Sequence, residues 1–187
     1  KRQPQFLFVS EPVSEDQGHN PSFPNFRGYT QQEVLRLVCD ALQPHHDQFS
    51  LIVQPHPRED KDKLFQVWSS AKGKLDGGLS TYKNGREALF IADRVIGMAS
   101  ILLYEAWLVG KPVISVQPNV VVPDLRILSK RDDVFFVDDA AHLNAKLNQW
   151  MSAKKAPPRP ELTLHQGAAN NILSLTASSI INKRSHG

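Results

Sequence analysis

Asp93-Arg94-Val95-Ile96-Gly97-Met98-Ala99-Ser100-Ile101-Leu102-Leu103-Tyr104-Glu105-Ala106-Trp107-Leu108-Val109-Gly110-Lys111-Pro112-Val113 is the stretch on which the fold turns. Val95-Ile96 is a short run of strand formers, and Gly97-Met98-Ala99-Ser100 supplies small residues for a tight turn. Residues 101–109 are apolar or aromatic except for Glu105, Gly110 stands where a helix C-cap glycine belongs, and residues 112–116 resume a strand pattern. Strand, helix and strand in so few residues make a βαβ unit, and strands joined through a helix run parallel.

The same alternation recurs on both sides. Phe6-Leu7-Phe8-Val9 reads as a buried parallel strand and is followed by a long polar loop. Thr30-Gln31-Gln32-Glu33 is a capping box, behind which Val34, Leu35, Val38, Ala41 and Leu42 recur at helical spacing. Leu51-Ile52-Val53 runs into Gln54-Pro55-His56-Pro57, and Asp60 caps a helix that presents Leu64, Phe65 and Trp68. A weaker strand is expected at residues 79–82, and Asn84 with Glu87 marks another helix start. Val134–Val137 is a further strand, and the helix after Asp139 is expected to bury Leu143, Leu147, Trp150 and Met151. The expected fold class is α/β, a doubly wound, Rossmann-like parallel sheet of about six strands. Ligands of such sheets bind beyond the carboxyl ends of the strands. Ala156-Pro157-Pro158-Arg159-Pro160 reads as a stiff connector, so that residues 156–187 are a connector and a final helix with Ile172, Leu173 and Ile180.

At 187 residues and 41% hydrophobic the chain can bury one sizeable core, so residues 1–187 are read as a single domain. Lys and Arg number 22 against 19 Asp and Glu, and this excess of +3 is dispersed along the sequence, which argues against a nucleic-acid partner. No apolar stretch reaches the ~20 residues of a transmembrane helix, and Lys1-Arg2-Gln3-Pro4 opens no signal peptide; a soluble, cytoplasmic protein is expected. Cys39 alone excludes an internal disulfide and reads as a small buried hydrophobe. The chain opens without methionine and enters a strand at once, so an N-terminal portion is expected to precede it.

Candidate ligand residues should follow strands. At Gly97, Met98, Ala99 and Ser100, free backbone N–H groups, the helix dipole and a hydroxyl can hold a phosphate, although a glycine with small neighbours also serves close helix–strand packing. Glu105, the only charged residue between Arg94 and Lys111, either accepts hydrogen bonds from a ribose or pairs with one of those two cations. His56, fixed between two prolines, can donate to a phosphate oxygen or act as a general acid, if it is not simply structural. Ser10 and Glu11 lie at the adjacent strand end, facing a transferred group or forming an ordinary polar turn. His45-His46 lacks a third ligand, and Asp132-Asp133 and Asp138-Asp139 read as turn and cap residues, so no metal site is expected. Neither G-x-G-x-x-G after the first strand nor a P-loop is present, which removes the main support for nicotinamide and P-loop readings.

Together, the block from Asp93 to Ser100, Glu105-Ala106 and Gly110-Lys111-Pro112-Val113 resembles the donor-binding block of GT-B glycosyltransferases and of the related UDP-N-acetylglucosamine 2-epimerases. His56-Pro57 is similar to the His-Pro motif of those epimerases, of CDP-glycerol-type polymerases and of bacterial sialyltransferases that build capsules and surface glycans, and Gly167-Ala168-Ala169 resembles the epimerase C-terminus. The resemblance implies a nucleotide-sugar substrate with its diphosphate on Gly97 to Ser100, ribose on Glu105 and phosphate on His56. It also implies base contacts near Thr81 and Tyr82, and sugar contacts near Gln117, Pro118 and Asn119. It implies metal-independent catalysis, no further cofactor, and an N-terminal acceptor domain that this chain lacks, which would leave the isolated chain inactive. Ser100-Ile101 stands where the epimerases carry two glycines, which favours a transferase over an epimerase. A non-catalytic ligand-binding module of the same fold is the alternative from another class.

Overall fold

The computed structural model describes residues 2–159; the expected final helix and the Gly167-Ala168-Ala169 motif lie outside the described residues. Six parallel strands form one sheet in the order β3-β2-β1-β4-β5-β6. They are β1 (Gln5–Val9), β2 (Ser50–Gln54), β3 (Asp76–Leu79), β4 (Arg94–Gly97), β5 (Val113–Val116) and β6 (Val134–Val137). The connecting helices are α1 (Val13–Gln17), α2 (Gln31–Leu42), α3 (Lys61–Ala71), α4 (Gly85–Ile91), α5 (Ile101–Leu108) and α6 (Leu143–Ser152). Because the winding reverses after β3, the strand order switches between β1 and β4.

The capping chemistry is as read from the sequence. Thr30 and Glu33 form a reciprocal capping box, Asp60 accepts from the N–H groups of Asp62 and Lys63, and Asn84 accepts from that of Glu87. Gly110, just past the end of α5, takes a φ of 78°. Three readings are corrected. The third strand is Asp76–Leu79, earlier than residues 79–82, because Gly77 and Gly78 hide it from a pattern of β-branched residues. The loop after β1 contains the short helix α1, whose single buried residue, Val13, gives no periodicity. Asp139 caps a single 3-10 turn, Ala140–His142, before α6 begins.

Alternate strand residues feed two cores. Phe6, Phe8, Leu51, Val53, Ile96 and Ile114 pack against α2, α3 and α6, whereas Leu7, Val9, Val95 and Val113 pack against α4 and α5. Phe6 stacks on Phe49 at 4.2 Å and meets the edge of Trp150 at 5.0 Å. Cys39 is fully buried, and burial pushes its thiol up to about 12, so it behaves as an inert hydrophobe.

At the amino ends of the strands the helices end, and unpaired carbonyls gather there. Lys111 donates to Phe90 O at 3.0 Å and to Ala92 O, Arg94 to Trp150 O at 2.7 Å, and Arg2 to Ile91 O at 2.9 Å. These cations neutralise the negative ends of α4 and α6. Burial, followed by the charge of Lys155, lowers the Lys111 ammonium to about 8.

Gly97 ends β4 where only hydrogen fits. A Cβ there would lie 2.8 Å from Val9 O and 2.9 Å from Leu103 Cδ1, so β1 and α5 approach each other through the missing side chain. Gly97→Ala is expected to destabilise the fold by about 1–3 kcal/mol, the usual scale of overpacking; urea denaturation measures it, and an unchanged midpoint would show that β1 and α5 can separate freely.

Candidate functional site

Strand register aligns the candidate residues. Val9 pairs with Gln54 on one side and Gly97 on the other, so Glu11, His56 and Ala99 each lie two residues beyond one row of the sheet. Neighbouring strands are about 4.8 Å apart, so three loops deliver these residues side by side at the point where the strand order reverses.

The start of α5 already holds an anion. Ala99 N–H donates to Glu11 Oε2 at 2.7 Å, and Ser100 N–H is also directed at this carboxylate. Arg27 stands 3.8 Å from the other oxygen, with both side chains largely buried. The N–H groups expected to hold a phosphate therefore hold Glu11, whose short reach from the end of β1 sequence spacing could not reveal. Burial raises the Glu11 carboxyl above its ordinary range, against the opposing pull of these N–H groups and Arg27. Ser100 is the N-cap of α5, its hydroxyl accepting from Leu102 N–H at 3.3 Å. Met98 is fully buried, and its carbonyl accepts from Gln117 Nε2 at 3.1 Å and from Ser115 Oγ.

His56 is half-buried, with its ring orientation set locally. Its Nδ1 accepts from Arg58 N–H at 3.2 Å, which leaves the proton on Nε2 as a donor. Burial and then the Arg58 charge lower the imidazole pKa, so the ring is a neutral donor near pH 7. Below this turn lies Glu59, which sequence reasoning missed. It is 8% exposed, accepts from Ser10 Oγ at 2.7 Å and from His56 N–H at 2.7 Å, and has its carboxyl pKa raised by burial. A Glu three residues after the His-Pro histidine was the available signal.

Glu105, 4% exposed, is paired with Arg86 of α4 in a bidentate contact with distances of 2.7, 3.0 and 3.2 Å. The partners considered from the sequence, Lys111 and Arg94, instead cap helix ends; Arg86 was missed because α4 had to dock on α5 to reveal it. Thr81 and Tyr82 are exposed just past β3. Gln117 is fully buried, its amide within hydrogen-bond distance of Met98 O, Ser115 Oγ, Leu125 O and Tyr29 Oη. It braces the loop after β5 and presents no surface to a sugar. Asn119 is exposed with a φ of 60°, and its carbonyl closes on Gly28, where a Cβ would sit 1.9 Å away.

A cleft of about 1460 Å³ lies elsewhere, at the amino ends of the strands around Phe6, Arg94, Lys111 and Met151. Among the described residues no group of three or more His, Cys, Asp or Glu could hold a metal ion, and no helix is long and apolar enough to cross a membrane. Asp138 pairs with Arg126, and Asp133 with Arg159.

No protein-family model matches the chain, and no curated protein is similar to it in sequence. Its fold does have solved counterparts. The UDP-GlcNAc 2-epimerase of Methanocaldococcus jannaschii, in complex with UDP-GlcNAc and UDP, superposes with a TM-score of 0.54 at 13% identity, over 93% of this chain and 46% of that one. The enzyme of the same name from Neisseria meningitidis gives 0.51 at 9% identity over 80% and 36%. The catalytic domain of the Helicobacter pylori cholesterol-alpha-glucosyltransferase gives 0.50 at 15% identity over 92% and 99%. The chain has a GT-B-type Rossmann fold. This GT-B-type unit spans less than half the length of the two epimerases.

Glu11→Gln is expected to tighten pyrophosphate binding on the order of 1 kcal/mol by removing a like charge from the helix start. The wild type should gain the same affinity as pH falls through the raised Glu11 pKa. Calorimetry across pH tests both; equal affinities of variant and wild type at neutral pH would exclude Glu11 as a competitor.

Proposed function

We propose that this GT-B-type domain binds a nucleotide sugar across the β1/β4 switch point, as the donor-binding part of a glycosyltransferase. The observation that carries this reading is the row formed by Glu11, His56 and Ala99, which brings a neutral imidazole donor and a helix start to one strand edge. His56 Nε2–H would donate to a phosphate oxygen and stabilise the leaving nucleotide, with the α5 dipole behind it and no divalent cation required. The Glu105–Arg86 pair lies about 7.5 Å further along α5 at 1.5 Å per residue, a spacing that suits ribose when the phosphates lie near Ser100. Thr81 and Tyr82 would face the base, and Asn119 the sugar.

In the whole protein, an N-terminal domain would supply the acceptor wall and the catalytic base, in the cytoplasm, for polysaccharide or surface-glycan assembly. Ser100-Ile101 favours transfer over epimerisation. The Glu11 carboxylate on the helix start favours a second reading, a ligand-binding module without catalysis, since a bound phosphate must displace it or sit beside it.

A thermal-shift panel of UDP, CMP, CDP, GDP and ADP identifies the nucleotide, because a ligand of the folded state raises apparent stability. His56→Ala is then expected to weaken that nucleotide by about 1–2 kcal/mol and its parent nucleoside far less. Glu105→Gln should weaken nucleoside and nucleotide alike by about 1–3 kcal/mol while leaving pyrophosphate unaffected. If no nucleotide shifts the melting temperature, the donor-binding reading fails.

A further inference from the structure

We propose that Glu59 is the positioning residue of the site: its buried carboxylate bridges the end of β1 to the His56 turn and holds the imidazole with Nε2–H directed outward. The inference rests on the nucleotide-binding reading only for its effect on affinity; the geometry stands apart from it. One carboxylate oxygen accepts from Ser10 Oγ and the other from His56 N–H, both at 2.7 Å, and Glu59 N–H closes the turn onto His56 O at 3.0 Å. Ser10 is itself 1% exposed, so this bridge lies beneath the site.

The bridge has a cost and needs a reason. Glu59 is buried next to like charges on Glu11 and Glu15, and burial raises its carboxyl pKa. A buried carboxylate that only joined two loops would be replaceable by apolar packing. What an apolar residue cannot supply is two acceptors that fix a backbone N–H at one residue of the turn. With that N–H fixed, Arg58 N–H reaches His56 Nδ1, and the tautomer follows. The outer clamp, Arg58 to Asp16 at 2.7 and 2.9 Å, is exposed and contributes little by itself. Ser10 is followed in sequence by Glu11, so one dipeptide fixes both the His56 turn and the start of α5.

Reach, not charge, is therefore the requirement. Glu59→Gln keeps two polar ends at the same distance: its carbonyl can accept from His56 N–H while its amide donates to Ser10 Oγ. Glu59→Asp keeps the charge but is one methylene too short to span both partners. Ring nitrogen NMR of His56 should give the Nε2–H tautomer in the wild type and in Glu59→Gln, and a mixture in Glu59→Asp and Glu59→Ala. Nucleotide affinity, with UDP and CMP as probes, should fall in Glu59→Asp but by less than in His56→Ala, and adding His56→Ala to Glu59→Asp should cost less than His56→Ala costs in the wild type. Glu59→Asp serves if Glu59→Ala fails to fold. A wild-type tautomer in Glu59→Asp, or loss of the tautomer in Glu59→Gln, overturns the inference. If neither probe binds any form, the nucleotide reading fails, and the ring signature alone still decides the role of Glu59.

Discussion

The start of α5 depends on one hydrogen-bonded anion. A helix leaves its first N–H groups without intrahelical acceptors. From the end of β1, Glu11 accepts from Ala99 N–H, at the turn into α5, with Ser100 N–H also directed at it. That contact is possible because Gly97 lets the two segments approach, and Arg27 offsets the charge. The position of α5, and with it Glu105 and its partner Arg86, follows from this junction.

Around it the chain concentrates buried polarity at one edge of the sheet and capped helix ends at the other. Glu11, Glu59 and Glu105 are buried or nearly so, and each has a specific partner in Arg27, Ser10 or Arg86. Burial is the largest cause of the raised carboxyl pKa values of Glu11 and Glu59. At the opposite edge Lys111, Arg94 and Arg2 answer helix carbonyls.

Two candidate groups separate on physical grounds. Glu11, His56 and the α5 start converge because parallel register places them in one row. Gln117 does not join them: it lies in the loop after β5, where its amide bonds to backbone carbonyls beneath that loop. Fully buried, Gln117 shapes the site without touching what binds there.

The sequence by itself determined the sheet, its six strands and the helix caps, because these depend on local periodicity and on partners within four residues: Thr30 with Glu33, Asn84 with Glu87, Asp60 with the N–H groups that follow it. It also determined that His56 and Gly97 to Ser100 belong to strand ends. It placed β3 too late, at residues 79–82 and not Asp76–Leu79, because the glycines there carry no hydrophobic pattern. Only the tertiary structure decided what each polar group touches. Glu11 meets Ala99 across 88 residues, Ser10 meets Glu59 across 49, and Arg86 meets Glu105 from another helix. The energy of a buried charge depends on which segments the fold brings alongside it, and a linear pattern holds no record of that.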